Sequence, residues 1–321
     1  MRAALAATFL SLAGPALASD FSLALPVDCT LGETCYIQQY MDRDPGPGAQ
    51  DFTCGTLSYD GHRGTDFALP TRADMEAGVD VLAAASGTVL GRRDGVEDAP
   101  FTPDRAEEIA GRECGNGVVL DHGGGWVTQY CHLRRGSVTV APGQRVEVGH
   151  RLGQIGMSGK TEFPHLHLSL RKDGADVDPF GQAPEDHCDL SPTGDTMLWA
   201  PPLPYAAGGI LDIGFADAIP RFDDIQAGNA DRAITPSSPA FVIFAFAFGS
   251  RAGDRMILTV TGPKGELIRH EVTLERTQAQ LFRAAGRQMR SPWPAGTYEG
   301  IATMLRGDTV IDQARAVIQV E

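Results

Sequence analysis

Phe163-Pro164-His165-Leu166-His167-Leu168-Ser169-Leu170 alternates strictly from His165 onward. Successive side chains of a strand point to opposite faces, so Leu166, Leu168 and Leu170 take one face while His165 and His167 take the other. Leucines at that spacing can enter a core. Two imidazoles aligned opposite them are costly as mere packing, so their face is expected to line a cleft.

Working outward, short strand-like runs separated by glycine-containing turns recur at Val79 to Ala84, Gly87 to Leu90, Gly117 to Leu120, Trp126 to His132 and Gln144 to Val148. Runs of this length and spacing predict an all-β core. One helix is expected inside an acidic insertion from Asp94 to Cys114, with Thr102 as N-cap, Pro103 at the first position and Arg105 to Gly111 following; the insertion itself reads as a solvated loop near the rim. Beyond a Pro-rich stretch, further runs at Phe241 to Phe248, Met256 to Thr261, Leu267 to Leu274, Thr297 to Leu305 and Ala314 to Val320 suit a small antiparallel sandwich of the immunoglobulin-like sort. Phe241, Phe244, Phe246 and Phe248 share one continuous apolar strand and read as core, not as a sugar platform. The predicted organisation is a signal peptide at 1–18, an irregular disulfide-tied segment at 19–54, a first β domain at 55–190, a linker at 191–205 and a β-sandwich at 206–321.

The 321 residues suffice for one large or two ordinary cores. A net charge of −14 argues against nucleic acid or an anionic membrane surface as partner. Residues 1 to 200 carry 15 basic and 28 acidic side chains, residues 201 to 321 carry 12 and 13, so the acidity belongs to the first unit. Arg2, the apolar run Ala3 to Leu17 and the Ala16-Leu17-Ala18 site have the layout of a cleavable secretory signal, leaving no membrane anchor after cleavage. Six cysteines in an exported chain suggest up to three disulfides. Folding the hairpin around Asp121 to Gly125 brings Cys114 near Cys131; the other four are expected as Cys35 with Cys54 and Cys29 with Cys188. A zinc-thiolate site lacks any C-x-x-C pair.

Three segments carry chemistry. In Gly61-His62-Arg63-Gly64-Thr65-Asp66-Phe67, an extended chain points His62 and Asp66 the same way with room over Gly64. Thr128-Gln129-Tyr130-Cys131-His132-Leu133 ends a strand on a histidine. With His165 and His167 these supply two imidazole nitrogens and a carboxylate for a catalytic zinc site, plus spare histidines for proton transfer or oxyanion stabilisation, the components of amide hydrolysis by a zinc-activated water.

In these motifs the sequence resembles the lysostaphin/LytM-type zinc metallopeptidases, which cut peptide bonds in bacterial cell walls. The family pattern H-x-G-x-D, Y-x-H-L and P-H-L-H is met at His62 to Asp66, Tyr130 to Leu133 and Pro164 to His167. Flanking stretches agree at Leu82 to Val89, Gly115 to Gly123 and Val146 to Gly156. The resemblance covers about residues 55 to 180. It implies the family's antiparallel catalytic sheet, one Zn2+ per chain held by His62, Asp66 and His167, and a catalytic pair, His132 and His165. It also implies a peptidoglycan peptide substrate and a periplasmic or extracellular location. Family members without hydrolysis typically lack some of these five residues, and here all five stand. The family's usual glycine before Pro164 is Phe163, which bears on groove width. A protease of glycine-rich proteins and a non-hydrolytic wall-binding or amidase-activating protein are the alternative readings, and the C-terminal unit is open to a protein partner.

Overall fold

A computed structural model describes residues 21–181 and 197–321. The strands are β1 (Tyr36–Gln39), β2 (Thr65–Ala68), β3 (Asp80–Leu82), β4 (Gly87–Arg93), β5 (Asn116–Gly123), β6 (Trp126–Leu133), β7 (Arg145–Val146), β8 (Arg151–Gln154), β9 (His165–Lys172) and β10 (Ala175–Asp176). They continue with β11 (Gly209–Ala216), β12 (Ala240–Ser250), β13 (Arg255–Gly262), β14 (Gly265–Thr273), β15 (Gln278–Gln288), β16 (Gly296–Arg306) and β17 (Thr309–Val320).

The first ten build an antiparallel sheet in the order β1-β2-β9-β6-β5-β4-β7, with β10 beside β9 and a separate β3-β8 pair. The register sets the faces. Phe67 lies opposite Leu166, and both are fully buried in the first core. One residue on, Asp66 lies opposite His167 and Ala68 opposite His165, so the polar residues share the other face. β6 adds Cys131 opposite His167. At the sheet edge β1 carries a bulge: Ile37 pairs with Phe67, but Gln39, not Gln38, pairs with Asp66. The extra residue turns Gln39 onto the polar face.

The sequence-based map changes in several places. The helix expected at Arg105 to Gly111 is a single 3-10 turn, Pro103–Arg105, running into the four-residue Ala106–Ile109, and Thr102 makes no side-chain cap there. Two short helices that hydrophobic periodicity did not reveal, Arg72–Ala77 and Phe222–Ala227, lie against each other; the first is closed by a capping box between Thr71 and Asp74. The acidic insertion is tied to its surroundings, because Asp98 accepts backbone N–H bonds from Arg135 and Met157, and Asp94 from Gly136. Residues 21–54 hold β1 and drive Tyr40 and Phe52 into the core against Phe180. The Pro-rich stretch is not loose from 197 on: Trp199 is buried against Phe67 and Phe180. The expected signal peptide, residues 182–190 at the end of the expected 55–190 domain and residues 191–196 of the expected linker lie outside the described residues.

Cys114 and Cys131 are bonded as the hairpin geometry requires. The other two expected pairs are wrong. Cys29 bonds Cys35 across a tight turn through Gly32, with a Cα–Cα distance of 6.0 Å. Local closure over six residues takes both thiols before either can reach Cys54 or Cys188. Cys54 is itself disulfide-bonded, and Cys188 lies outside the described residues.

The last seven strands form a three-stranded sheet, β11-β12-β15, and a four-stranded sheet, β14-β13-β16-β17, packed around a common core. They make a sandwich, but not with the constant-type immunoglobulin order, in which the fourth strand sits beside the fifth. Here the fourth, β14, pairs with the third, β13. β11 and β15 escaped the sequence reading because β15, Gln278 to Gln288, is an edge strand rich in polar residues and alanine. The sandwich is docked on the first sheet. Phe248 sits in the first core, Gln38 donates to the Ala279 carbonyl at 2.8 Å, Gln280 donates to the Tyr36 hydroxyl at 3.0 Å, and just ahead of the sandwich Tyr205 donates to Asp51 at 2.9 Å.

Candidate metal centre and active site

His62, Asp66 and His167 offer one donor atom each, all within 4.8 Å of one another. His62 Nε2 is 3.1 Å from Asp66 Oδ1 and 3.2 Å from His167 Nδ1, and His167 Nδ1 is 2.8 Å from Asp66 Oδ1. The approach of His167 depends on Gly64, where a Cβ would stand 2.7 Å from its Nε2 and 2.6 Å from the Leu168 carbonyl.

The ring nitrogen of each histidine facing away from this centre has its own partner. His62 Nδ1 donates to the Tyr40 carbonyl at 2.7 Å, and His167 Nε2 lies 3.1 Å from Ser169 Oγ. His132 Nδ1 donates to the Ser158 carbonyl at 2.8 Å, and His165 Nδ1 to the Phe163 carbonyl at 3.0 Å. Protons placed there leave the inward nitrogens as lone pairs. Two such lone pairs 3.2 Å apart beside a carboxylate repel unless a cation joins them, so the donor set fits a metal ion.

His132 and His165 stand next to the trio, their ring centroids 4.7 Å apart and His165 Nε2 3.6 Å from Asp66 Oδ1. His132 has a positive φ of 62°, a strained conformation for a non-glycine residue. Its N–H bonds the carbonyl of Cys114 at 2.8 Å, and the Cys114–Cys131 disulfide fixes that partner one residue away. All five histidine and aspartate residues singled out in the sequence therefore meet on one face.

A family model for Peptidase family M23 matches residues 60–179, the stretch that holds all five. The chain carries a peptidase family M23 domain. Peptidoglycan DD-endopeptidase ShyA of Vibrio cholerae is 34% identical over 109 residues, covering 34% of this chain and 20% of that protein. Cell division protein DipM of Caulobacter vibrioides is 34% identical over 115 residues, 33% of this chain and 18% of the relative. The chain thus spans about a fifth of the length of these curated relatives. Among solved structures, a zinc containing peptidase from Vibrio cholerae is 24% identical with a TM-score of 0.29, covering 46% of this chain and 39% of that one.

Electrostatics inside the M23 domain follow from burial and from the shared carboxylate. Burial raises the Asp66 carboxyl, but the neighbouring His62, His165 and His167 outweigh it and hold the group well below the usual carboxylate range. For His62, burial is outweighed by Asp66 and the Tyr40 carbonyl, so its pKa is raised above the ordinary histidine value. Burial, helped by the neighbouring His165 and His167, pushes His132 well below the ordinary histidine range; burial also lowers His165 despite Asp66.

Residues that sequence reasoning missed surround these five. Ser169 was findable, since it is two residues from His167 on the same strand face. Tyr59, whose ring stacks on His62 at 4.5 Å, and Thr161, 3.0 Å from His165 Nδ1, gave no signal because loops bring them there. His122 is occupied by the Ser86 carbonyl and the Thr128 hydroxyl. His150 and His270 are exposed and apart from the site, and His187 lies outside the described residues.

Proposed function

We propose that this chain is a zinc metalloendopeptidase that hydrolyses peptide cross-links of bacterial peptidoglycan, in the periplasm or outside the cell. The reading is carried by the convergence of His62, Asp66 and His167 donor atoms within 4.8 Å. In it, these three would hold one Zn2+, which would supply the Lewis acidity that lowers the pKa of a water and polarises a carbonyl. His132 and His165 are the proton carriers. Their outer nitrogens are committed to backbone carbonyls, and burial disfavours the protonated form of both rings. Each therefore presents Nε2 as a base to the attacking water. Once protonated, the ring is a cation beside the developing oxyanion and can return its proton to the leaving amine. The peptidoglycan substrate is supported by the names of the relatives the M23 domain matches.

The test is mass spectrometry of fragments released from purified cross-linked sacculi by the zinc-loaded protein, beside a His132→Ala control. Conversion of cross-linked dimers to monomers by the unaltered protein, reduced on the order of 10²-fold or more in His132→Ala, is expected. Equal release by both proteins, or none from either while a pentaglycine peptide is also left intact, would remove the proposal.

A further inference from the structure

The cleft in front of His132 and His165 is a cavity of about 460 Å³ with two unlike walls. One belongs to the M23 domain. The other is the sandwich, which contributes Ser250 from the end of β12 and Thr277 and Gln278 at the start of β15. Gln39 lies at the seam between them. The β1 bulge sets it opposite Asp66 on the polar face, and it lines the same cavity. The residue is only 8% exposed, and its Oε1 is buried with no hydrogen-bond partner among the described residues. The neighbouring Gln38 and Gln280 are, by contrast, both engaged in holding the seam together.

A buried carbonyl oxygen without a donor costs folding free energy that nothing in the protein returns. Beside an active site, a ligand N–H returns it. Resting on the peptidase reading above, we propose that Gln39 is a substrate-binding, specificity-determining residue. Its Oε1 accepts a main-chain N–H of an extended peptide lying between the M23 domain and the sandwich. The sandwich is then a fixed wall of the peptide cleft, joined by the Gln38 and Gln280 bonds, and Gln278 stands on that wall.

The test uses the full chain, zinc-loaded, with a soluble cross-linked muropeptide dimer as probe and a pentaglycine peptide as second substrate. Gln39→Met keeps length and removes the orphan acceptor. It is expected to raise KM about 10-fold with kcat within about twofold. In a His132→Ala background, Gln39→Met is expected to weaken dimer binding by the same factor, while zinc content stays at one per chain and Tm is unchanged or higher. Gln278→Ala, on the half-exposed wall, should raise KM about threefold. Unchanged KM and binding in Gln39→Met would overturn the proposal. So would a joint fall of kcat, zinc content and Tm, which would make Gln39 a structural residue. If the unaltered protein cleaves neither probe, the peptidase reading itself fails and this inference with it.

Discussion

β9 and β12 are both central strands, yet they are written differently. β12 is apolar throughout. Phe241, Ile243, Ala245 and Ala247 face the sandwich core, while Phe244 and Phe246 pack with Ile225 of the short Phe222–Ala227 helix. β9 is apolar only on alternate residues and turns the buried His165 and the half-buried His167 onto a polar face. A face that only packs needs hydrophobic area, whereas a face that binds must keep donors unused by the fold. The polar face is tolerated because every outer ring nitrogen on it is hydrogen-bonded, and the cost falls on the inward nitrogens and on Gln39 Oε1.

Substitutions in the two regions should therefore separate activity from stability. Asp66→Asn is expected to lose zinc, measured by elemental analysis, and on the order of 10³-fold or more in peptide cleavage, since it removes the charge common to both ligand histidines. A protein that kept full zinc would break the comparison. In the sandwich, Phe241→Ala should cost about 4 kcal/mol in urea unfolding and leave zinc content alone, because its ring packs against Trp293, Tyr298 and Phe215 far from the cleft. Opening the Cys114–Cys131 bond by paired serines removes a 17-residue closure and should cost about 3 kcal/mol; opening Cys29–Cys35, six residues apart, about 2 kcal/mol. Only the first should also lower kcat, through the Cys114 carbonyl that holds His132.

The smallest expected effect concerns pH. Burial pushes the Asp178 carboxyl up to about 6, against the Phe180 N–H bond and the Arg43 charge. The folded state then binds the proton more tightly than the unfolded chain, whose carboxyl titrates near ~3.9. Its contribution is fully present below about pH 4 and is lost as pH rises through about 6. Asp178→Asn keeps the acceptor for Phe180 and should gain on the order of 2 kcal/mol at neutral pH, flattening stability between pH 4 and 7. An unchanged slope across that window would show that the carboxyl is ordinarily ionised in the fold.

Much of the catalytic sheet was legible because alternation is a local property: His165 to Leu170, Trp126 to His132 and Gly117 to Leu120 all fall within observed strands. The motifs of His132, His165 and His167 were legible because they are short and sit on those strands, whereas Asp66 falls on β2 and His62 in the loop before it. What failed was of another kind. β15 is polar because one edge is free of strand partners, the Arg105 to Gly111 helix shrank to less than two turns, and Cys29 found the nearest partner instead of a distant one. Residues 191–205 read as a linker by composition, although Trp199 inside them is core.

The sequence by itself determined the faces of the strands and the donor types placed on one of them, since a two-residue period and side-chain chemistry are fixed before any folding. Only the tertiary structure decided that His62, Asp66 and His167 meet, that the sandwich forms the second wall of the cleft, and that a bulge one residue long turns Gln39 and not Gln38 toward Asp66. Those outcomes depend on register and docking between segments far apart in the chain, where a shift of one residue exchanges the two faces.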